Sequence, residues 1–497
     1  MKTRYEDKQC TVFDQVRPSF VPLTALTQRH GIRDLVTCEV ICGLTARSED
    51  ETGMARQEET KHEQLVRYLI SRRQILKMGA AGLGAMAVPG LMRDATAAPA
   101  EPLHFIGWQY NPQIVAENVD IFKKLSGENV EYQLVPGEYP AVAETKLMGG
   151  EPIDMMYAEV DRLVRWHSAG WVRDVEDQPG VAEIKAGMFA NSVQGLSLPD
   201  GKLGGLPYFA GFDSFIYNAK HLDQAKIQPP TTWEACLDQC RKLKRDKIAE
   251  YPYISAWQRT WASLSWSLFS VMYSEGADVF DAKGNFIVDE PFKKVLDMHR
   301  TMYSEGLVQP DIFTIEQESV PSFATGQHSF MVVHEYDQKV LNDPKLSQIP
   351  GAVHNALMPG KTRSTLTWVS LYAMGAKPVD SARAWELMKF FGGKSKDGQY
   401  HVIKRWALDF GLGTPYKEVL DDPEVRKSFA QWKDLAISAE QQQIAKTREV
   451  SKKIWFADWD WYMMGEMQDY FRGNQSQQQL IDKLAKKVDE VKAQYPE

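Results

Sequence analysis

Four groups of residues in this 497-residue chain are of types that can hold a small molecule. Trp257, Trp261 and Trp266 fall in one helix-rich stretch, Ser255 to Tyr273, where spacing of four lets Trp257 and Trp261 share a helix face. Indole planes suit flat or CH-rich ligands such as sugar rings, and equally a core. Trp108, Gln109 and Tyr110 follow one apolar strand, Glu159 and Asp161 follow another, and His334, Glu335 and Tyr336 follow a third. A carboxylate accepts two hydroxyl protons at once, so it orients a ligand as well as binding it. Asp161 would serve as well as a helix N-terminal acid favoured by the dipole. Trp108 reads as ligand-facing, with core as its alternative. His334, a lone histidine, is expected to hydrogen-bond rather than to hold a metal. Machinery for bond chemistry is thin. The chain has no G-x-S-x-G elbow, no H-E-x-x-H and no Cys cluster, although a carboxylate pair is not excluded. Gly79-Ala80-Ala81-Gly82-Leu83-Gly84 follows no strand and is not read as a phosphate loop. No cofactor is expected.

The elements that must position these residues alternate. Strands are expected at Leu103 to Trp108, Val130 to Val135 and Ile153 to Tyr157, with helices after each, which implies a parallel sheet whose ligands sit at the strands' carboxyl ends. Asn218 and Thr232 are placed to cap helices, and Ser381 and Ser476 to cap two later ones. Phe280 and Phe286 lie in the two arms of a predicted hairpin. Composition is that of a globular chain, 43% hydrophobic and 25% charged, long enough for about two to four domains. A net charge of −8 without a basic block argues against nucleic acid. Cys236 and Cys240, four apart on one helix, read as core-facing thiols rather than a strained disulfide. Cys38 and Cys42 have the wrong spacing for a zinc or redox site.

The first hundred residues read as an address. Ser71-Arg72-Arg73-Gln74-Ile75-Leu76-Lys77 resembles the twin-arginine export motif, and a weakly apolar Gly/Ala stretch leads to Ala98-Pro99-Ala100. Residues 54–100 are therefore expected to be a signal peptide cleaved near Ala100, or after Ala97, and 1–53 a non-native or disordered extension.

One stretch carries a family resemblance. Gly201-Lys202, Gly205-Leu206-Pro207-Tyr208, Ile216-Tyr217-Asn218 and Pro229-Pro230-Thr231-Thr232-Trp233-Glu234 stand in an order similar to that of the extracellular solute-binding proteins, family 1, of sugar-type ABC importers. Phe323-Ala324-Thr325-Gly326-Gln327, Leu357-Met358-Pro359-Gly360 and Ala384-Trp385-Glu386-Leu387-Met388-Lys389-Phe390-Phe391 resemble later pieces of the same pattern. His334-Glu335-Tyr336 departs from the Gly-x-Trp usual there.

The resemblance implies an α/β, two-lobed periplasmic-binding-protein fold of the type II, Venus-flytrap kind, with discontinuous lobes and a hinged cleft. Residues 101–211 with 370–425 would form lobe 1, and 212–369 with 426–497 lobe 2. Asp161-Arg162 matches the family's carboxylate after the third strand, Trp368 stands where glycines are common, and Trp459, with Trp461 as fallback, matches an aromatic that stacks on ligand in several members. The expected ligand contacts are Trp108, Tyr110, Asp161, Tyr208, Trp261, Glu335, Trp368 and Trp459. The implied role is a monomeric periplasmic binding component with no catalysis. It would hand a small solute, a carbohydrate above all, to ABC permease and ATPase subunits at the inner membrane. A polyamine, organic anion, phosphorylated polyol or metal complex on the same fold is the alternative, Glu159, Asp161, Asp213 and Glu335 being available for a cation. An exported carboxylate-based hydrolase is a second alternative.

Overall fold

The computed structural model describes residues 100–315 and 319–495. The signal peptide, the leading extension and Cys38 with Cys42 lie outside the described residues. Among the described residues ten strands form the sheet system: β1 Leu103–Gly107, β2 Val130–Leu134, β3 Met155–Ala158, β4 Val172–Arg173, β5 Leu206–Asn218, β6 Tyr253–Ser255, β7 Phe330–His334, β8 Val353–Ala356, β9 Leu366–Gly375 and β10 Lys446–Thr447. The main path runs β2-β1-β3-β9-β5-β7-β6, with β4 and β10 on β9 and β8 on β5. Burial sets that order. β2 alternates buried Val130 with exposed Glu131 and suits an edge, whereas every residue of β3 is buried, as a central strand requires.

Two strands do the joining. β5 is 13 residues long and pairs with β9 up to Phe212, then with β7 from Asp213 onward. Pro207, which has no N–H to offer a ladder, coincides with a register shift between Pro207 and Phe209. The buried apolar residues divide into two cores. One takes Leu103 to Ala210 and Val369 to Trp432, and the other takes Phe215 to Leu366 and Val450 to Val491. The chain therefore passes between cores at β5, at β9 and again after Trp432. Phe429 and Trp432, expected in lobe 2, pack in the first core because the helix before them carries Val425 and Phe429 into it.

Several local expectations stand and some do not. Asn218 accepts from Lys220 N and Thr232 from Ala235 N, while Ser476 and Gln479 form a reciprocal capping box. Asp380, not Ser381, caps its helix, accepting from Ala382 N and Arg383 N. The helix expected to carry Trp257 begins only at Ser263, after a short 3₁₀ turn, Thr260–Ala262. Trp257 is in the loop before it and is fully buried against His299, Phe313 and Phe471. Cys236 and Cys240 are buried free thiols in the second core.

Candidate functional site

The strand pairing decides which side chains face together. Successive residues of a strand point to opposite faces and directly paired residues share one. Gly211 pairs with Trp368 and Asp213 with His334, so these lie on one face of the crossing, along with Ser370 two residues beyond Trp368. A Cβ on Gly211 would meet the Trp368 ring at 2.9 Å, so glycine there makes room for the indole across the crossing strand. Trp368 packs against both cores and touches Trp266 and His334, with ring centroids 4.9 and 4.8 Å apart.

Polar groups collect around it. Glu159 stands between β3 and the helix Val160–Ser168 and accepts a 2.8 Å hydrogen bond from Ser370 Oγ. Burial drives its pKa up to about 8; Asp161 adds to the rise, and the Ser370 hydroxyl, Arg448 and His334 offset part of it. His334 Nδ1 lies 2.7 Å from Asp213 Oδ1, and Asp213 Oδ2 accepts from Ser270 Oγ at 2.7 Å. Burial pulls the imidazole pKa down, but the bond to Asp213 and the charges of Asp213, Asp337 and Glu159 outweigh it and leave it raised. Burial lifts Asp337 to about 6, against the pull of His334.

From the second core comes Arg448, 9% exposed. It donates to Ser265 Oγ at 2.6 Å, lies 3.9 Å from Asp460 and has its guanidinium over the Trp266 and Phe456 rings at 4.9 and 4.7 Å. Its charge acts on Glu159, which belongs to the first core, while Asp161 acts on Asp460. Burial raises the Asp460 pKa, with Arg448 and Ser265 pulling it back and Asp161 adding to it. Acids and a cation from both cores thus converge within reach of one another's fields. Such a set can accept and donate hydrogen bonds to hydroxyls while Trp368 and Trp266 cover an apolar ring face. Among the described residues, no group of three or more His, Cys, Asp or Glu could hold a metal ion.

The expected contacts divide. Trp108 is partly buried, stacked on Tyr157 at 4.6 Å and edge-on to Tyr208. Tyr110, 37% exposed, leans on Trp406 and Phe410. Asp161 is 27% exposed and takes the backbone N–H of Arg162. Tyr208 is only 2% exposed and lies beneath Trp108, so it supports that aromatic rather than meeting water. Trp261 sits in the 3₁₀ turn, and its side chain is outside the described residues.

Two expectations are corrected. Trp459 is fully buried, donates its indole N–H to Leu484 O at 3.1 Å and packs on Phe280 at 4.7 Å. A helix turns about 200° in two residues, so Trp461, 55% exposed, is the one that faces out, with the Arg259 guanidinium 4.0 Å from its ring. Glu335 follows His334 at the end of β7 and turns to the other face, where it pairs with buried Lys433. Trp266 and His334 were candidates by residue type and Asp213 only as an acid available for a cation, whereas Ser370 and Arg448 were not singled out. Pleat alternation from His334 could have found Asp213 once the pairing was known; nothing in the sequence marks Arg448.

Comparison with known proteins agrees with this architecture. A family model described as bacterial extracellular solute-binding protein matches residues 110–396. A Brucella abortus binding protein is 21% identical over 231 residues, 44% of this chain and 56% of that protein, so the chain spans about half the length of the curated relatives it matches. Among solved structures, maltose-bound MalE3 of T. maritima superposes with a TM-score of 0.68 at 16% identity, covering 78% of this chain and 99% of that one. A solute-binding protein of Agrobacterium vitis with bound D-mannitol gives 0.65 at 17%, covering 80% and 100%. The sugar-binding protein MalE of Xanthomonas citri gives 0.64 at 20%, covering 79% and 98%. These likenesses establish the two-lobed α/β fold.

Proposed function

Since the chain belongs to the bacterial extracellular solute-binding proteins, we propose that it is the exported binding component of an ABC importer and captures a small polyhydroxylated solute, a sugar or polyol. The observation that carries this reading is the junction at Trp368: an indole packed on both cores, with Glu159 and Ser370 on one side and Trp266, His334 and Arg448 on the other. Burial raises the Glu159 pKa and so favours the neutral carboxyl, which can donate as well as accept and suits an uncharged hydroxyl-rich ligand. Positive and negative groups are compensated within the site: Arg448 beside Asp460, His334 bonded to Asp213, Arg162 beside Asp161. Of the charges named, Asp337 alone is outside these pairs, so a free anion would find no cation left over and a polyamine a single carboxylate, which is why the neutral solute is preferred. Maltose and D-mannitol in the structural neighbours belong to the same chemical class.

Contacts from both cores would make the closed, liganded form the favoured one, and the closed form is the one a permease would read. Trp108, Tyr110 and Asp161 would complete the site from the first core. Export by the twin-arginine route, with cleavage near Ala100, and a monomeric state are parts of the same proposal. The test is native mass spectrometry of protein purified from its own periplasm, followed by denaturation and identification of the released molecule. A sugar or polyol is expected, and Trp368→Ala should lose it. A released polyamine, organic anion or metal complex would overturn the solute class, and product formation from a bound sugar would overturn the binding role.

A further inference from the structure

On the reverse face of the crossing strands lies a cavity of about 390 Å³. Ala210 and Phe212 line it, and their pleat positions alternate with Gly211 and Asp213, so it opens away from Trp368. Its size falls at the lower end of the ~300–1,000 Å³ usual for small-molecule sites. Of the residues placed at the solute cleft only Gly211, which has no side chain to face either way, also lines it.

Its walls come from both halves of the molecule. Leu420, Arg426 and Phe429 belong to the stretch that packs in the first core. Leu435, Ala436 and Ala439 lie on the helix Leu435–Ile444. That helix is fastened to the second half by Gln441, which accepts from Met358 N at 2.8 Å and donates to Arg363 O at 2.9 Å. Any rotation about β5 and β9 must therefore move one wall against the other.

The lining also has a sign. Glu335 is its one acid, and Lys433, 4% exposed, pairs with it. The pair is internally neutral and leaves no acid to receive a cationic ligand. Arg426 remains, 54% exposed, with Asp421 3.9 Å away as a loose partner. The rest is mostly apolar, with Thr414, Ser438 and Gln442 as scattered hydrogen-bonding groups. One exposed, weakly paired cation beside an apolar chamber is complementary to one anionic head on an apolar body.

We propose that this reverse-hinge cavity is a second ligand site, which takes a small amphipathic carboxylate with its head toward Arg426 and its apolar body between Leu420, Phe429 and Leu435, and that its occupancy is linked to the opening of the solute cleft. The linkage follows from the shared walls: a ligand that fits one lobe arrangement better must shift the equilibrium by its difference in affinity, and the effect is reciprocal. The site stands apart from the solute cleft, so its test does not depend on the solute being a sugar.

Hexanoate is the probe, with hexan-1-amine as the oppositely charged control, read by saturation-transfer NMR on the whole exported protein. An acid of about eight non-hydrogen atoms should bind with a Kd of about 1 mM. Arg426→Gln, a change at an exposed side chain, should weaken it about three- to fivefold. Ala439→Phe should abolish the signal by filling the chamber, with circular dichroism confirming that both variants fold. The proposal is overturned if hexanoate gives no signal at about 10 mM, if hexan-1-amine binds as well, or if the hexanoate signal survives in Ala439→Phe or is untouched by Arg426→Gln. Small-angle scattering with saturating hexanoate reads the linkage: a changed radius of gyration is expected, and an identical one would refute the coupling.

Discussion

Replacing Glu159 with Gln tests the reading of the cleft most directly. Glutamine keeps an oxygen for the Ser370 hydroxyl, which now donates to Glu159 at 2.8 Å, and removes only the titration. The wild-type carboxyl moves from 4.5 in the open chain to about 8 in the fold, chiefly through burial. Between those values the native protein holds a proton that the unfolded chain has released. Stability contributed by the neutral acid is therefore complete below about pH 4.5 and is lost as pH rises through about 8. The limiting slope is ~1.4 kcal/mol per pH unit. Over the whole interval that would reach roughly 5 kcal/mol, but Glu159 is only half-buried and water in the cleft screens it, so ~1–2 kcal/mol is expected. Urea midpoints at pH 5, 6, 7 and 8, with m-values compared, give the assay. Asp337 and His334 also titrate here, but they are present in both proteins and largely cancel in the difference. Glu159→Gln should gain on the wild type steadily as pH rises. Parallel curves, or a gain toward acid, would refute the argument that burial governs this group.

Three further outcomes follow from the packing. Trp459→Ala should cost ~3–5 kcal/mol of stability through a buried cavity, whereas Trp461→Ala should stay within ~0.5 kcal/mol; equal urea midpoints for the two variants would reverse their assignment. Glu335→Ala leaves Lys433, whose pKa burial lowers to about 7, without its countercharge, and should cost ~3–5 kcal/mol near neutral pH. The cost should shrink as pH rises above about 7 and the lysine sheds its proton; a pH-independent loss in chemical denaturation would contradict this. Cys236 and Cys240 should ignore a thiol reagent in the folded protein, because burial and their mutual proximity keep the Cys236 thiol protonated, and both should react in urea; prompt labelling of the native state would count against it.

The fold was largely legible in the sequence. Alternating strands and helices, the capped helix starts at Thr232 and Ser476, and the ordered motifs from Gly201 to Glu234 all depend on neighbours in the chain. Such signals are local, and local chemistry fixes them. Candidate contacts fared differently according to what they needed. Trp108, Tyr110 and Asp161 lie within three residues of the ends of β1 and β3, a location that the order of strands and helices defines, and their contact with ligand is part of the proposal. The Trp459 expectation rested on distance to Gly473 alone, and two residues of error on a helix exchange core for solvent.

What the sequence by itself determined was the class of object: a chain whose secondary elements repeat a solute-binding pattern. What only the tertiary structure decided was which side chains meet. Glu335 and His334 are adjacent in sequence, yet the pleat of β7 sends one to Lys433 behind the crossing and the other to Asp213 in front of it. Arg448 comes within reach of Glu159 across almost three hundred positions of chain, through a return of the backbone that no local preference encodes. Register and chain crossing are set by the balance of buried surface over the whole sheet. A strand shifted by one residue keeps its propensities and exchanges every side chain it presents.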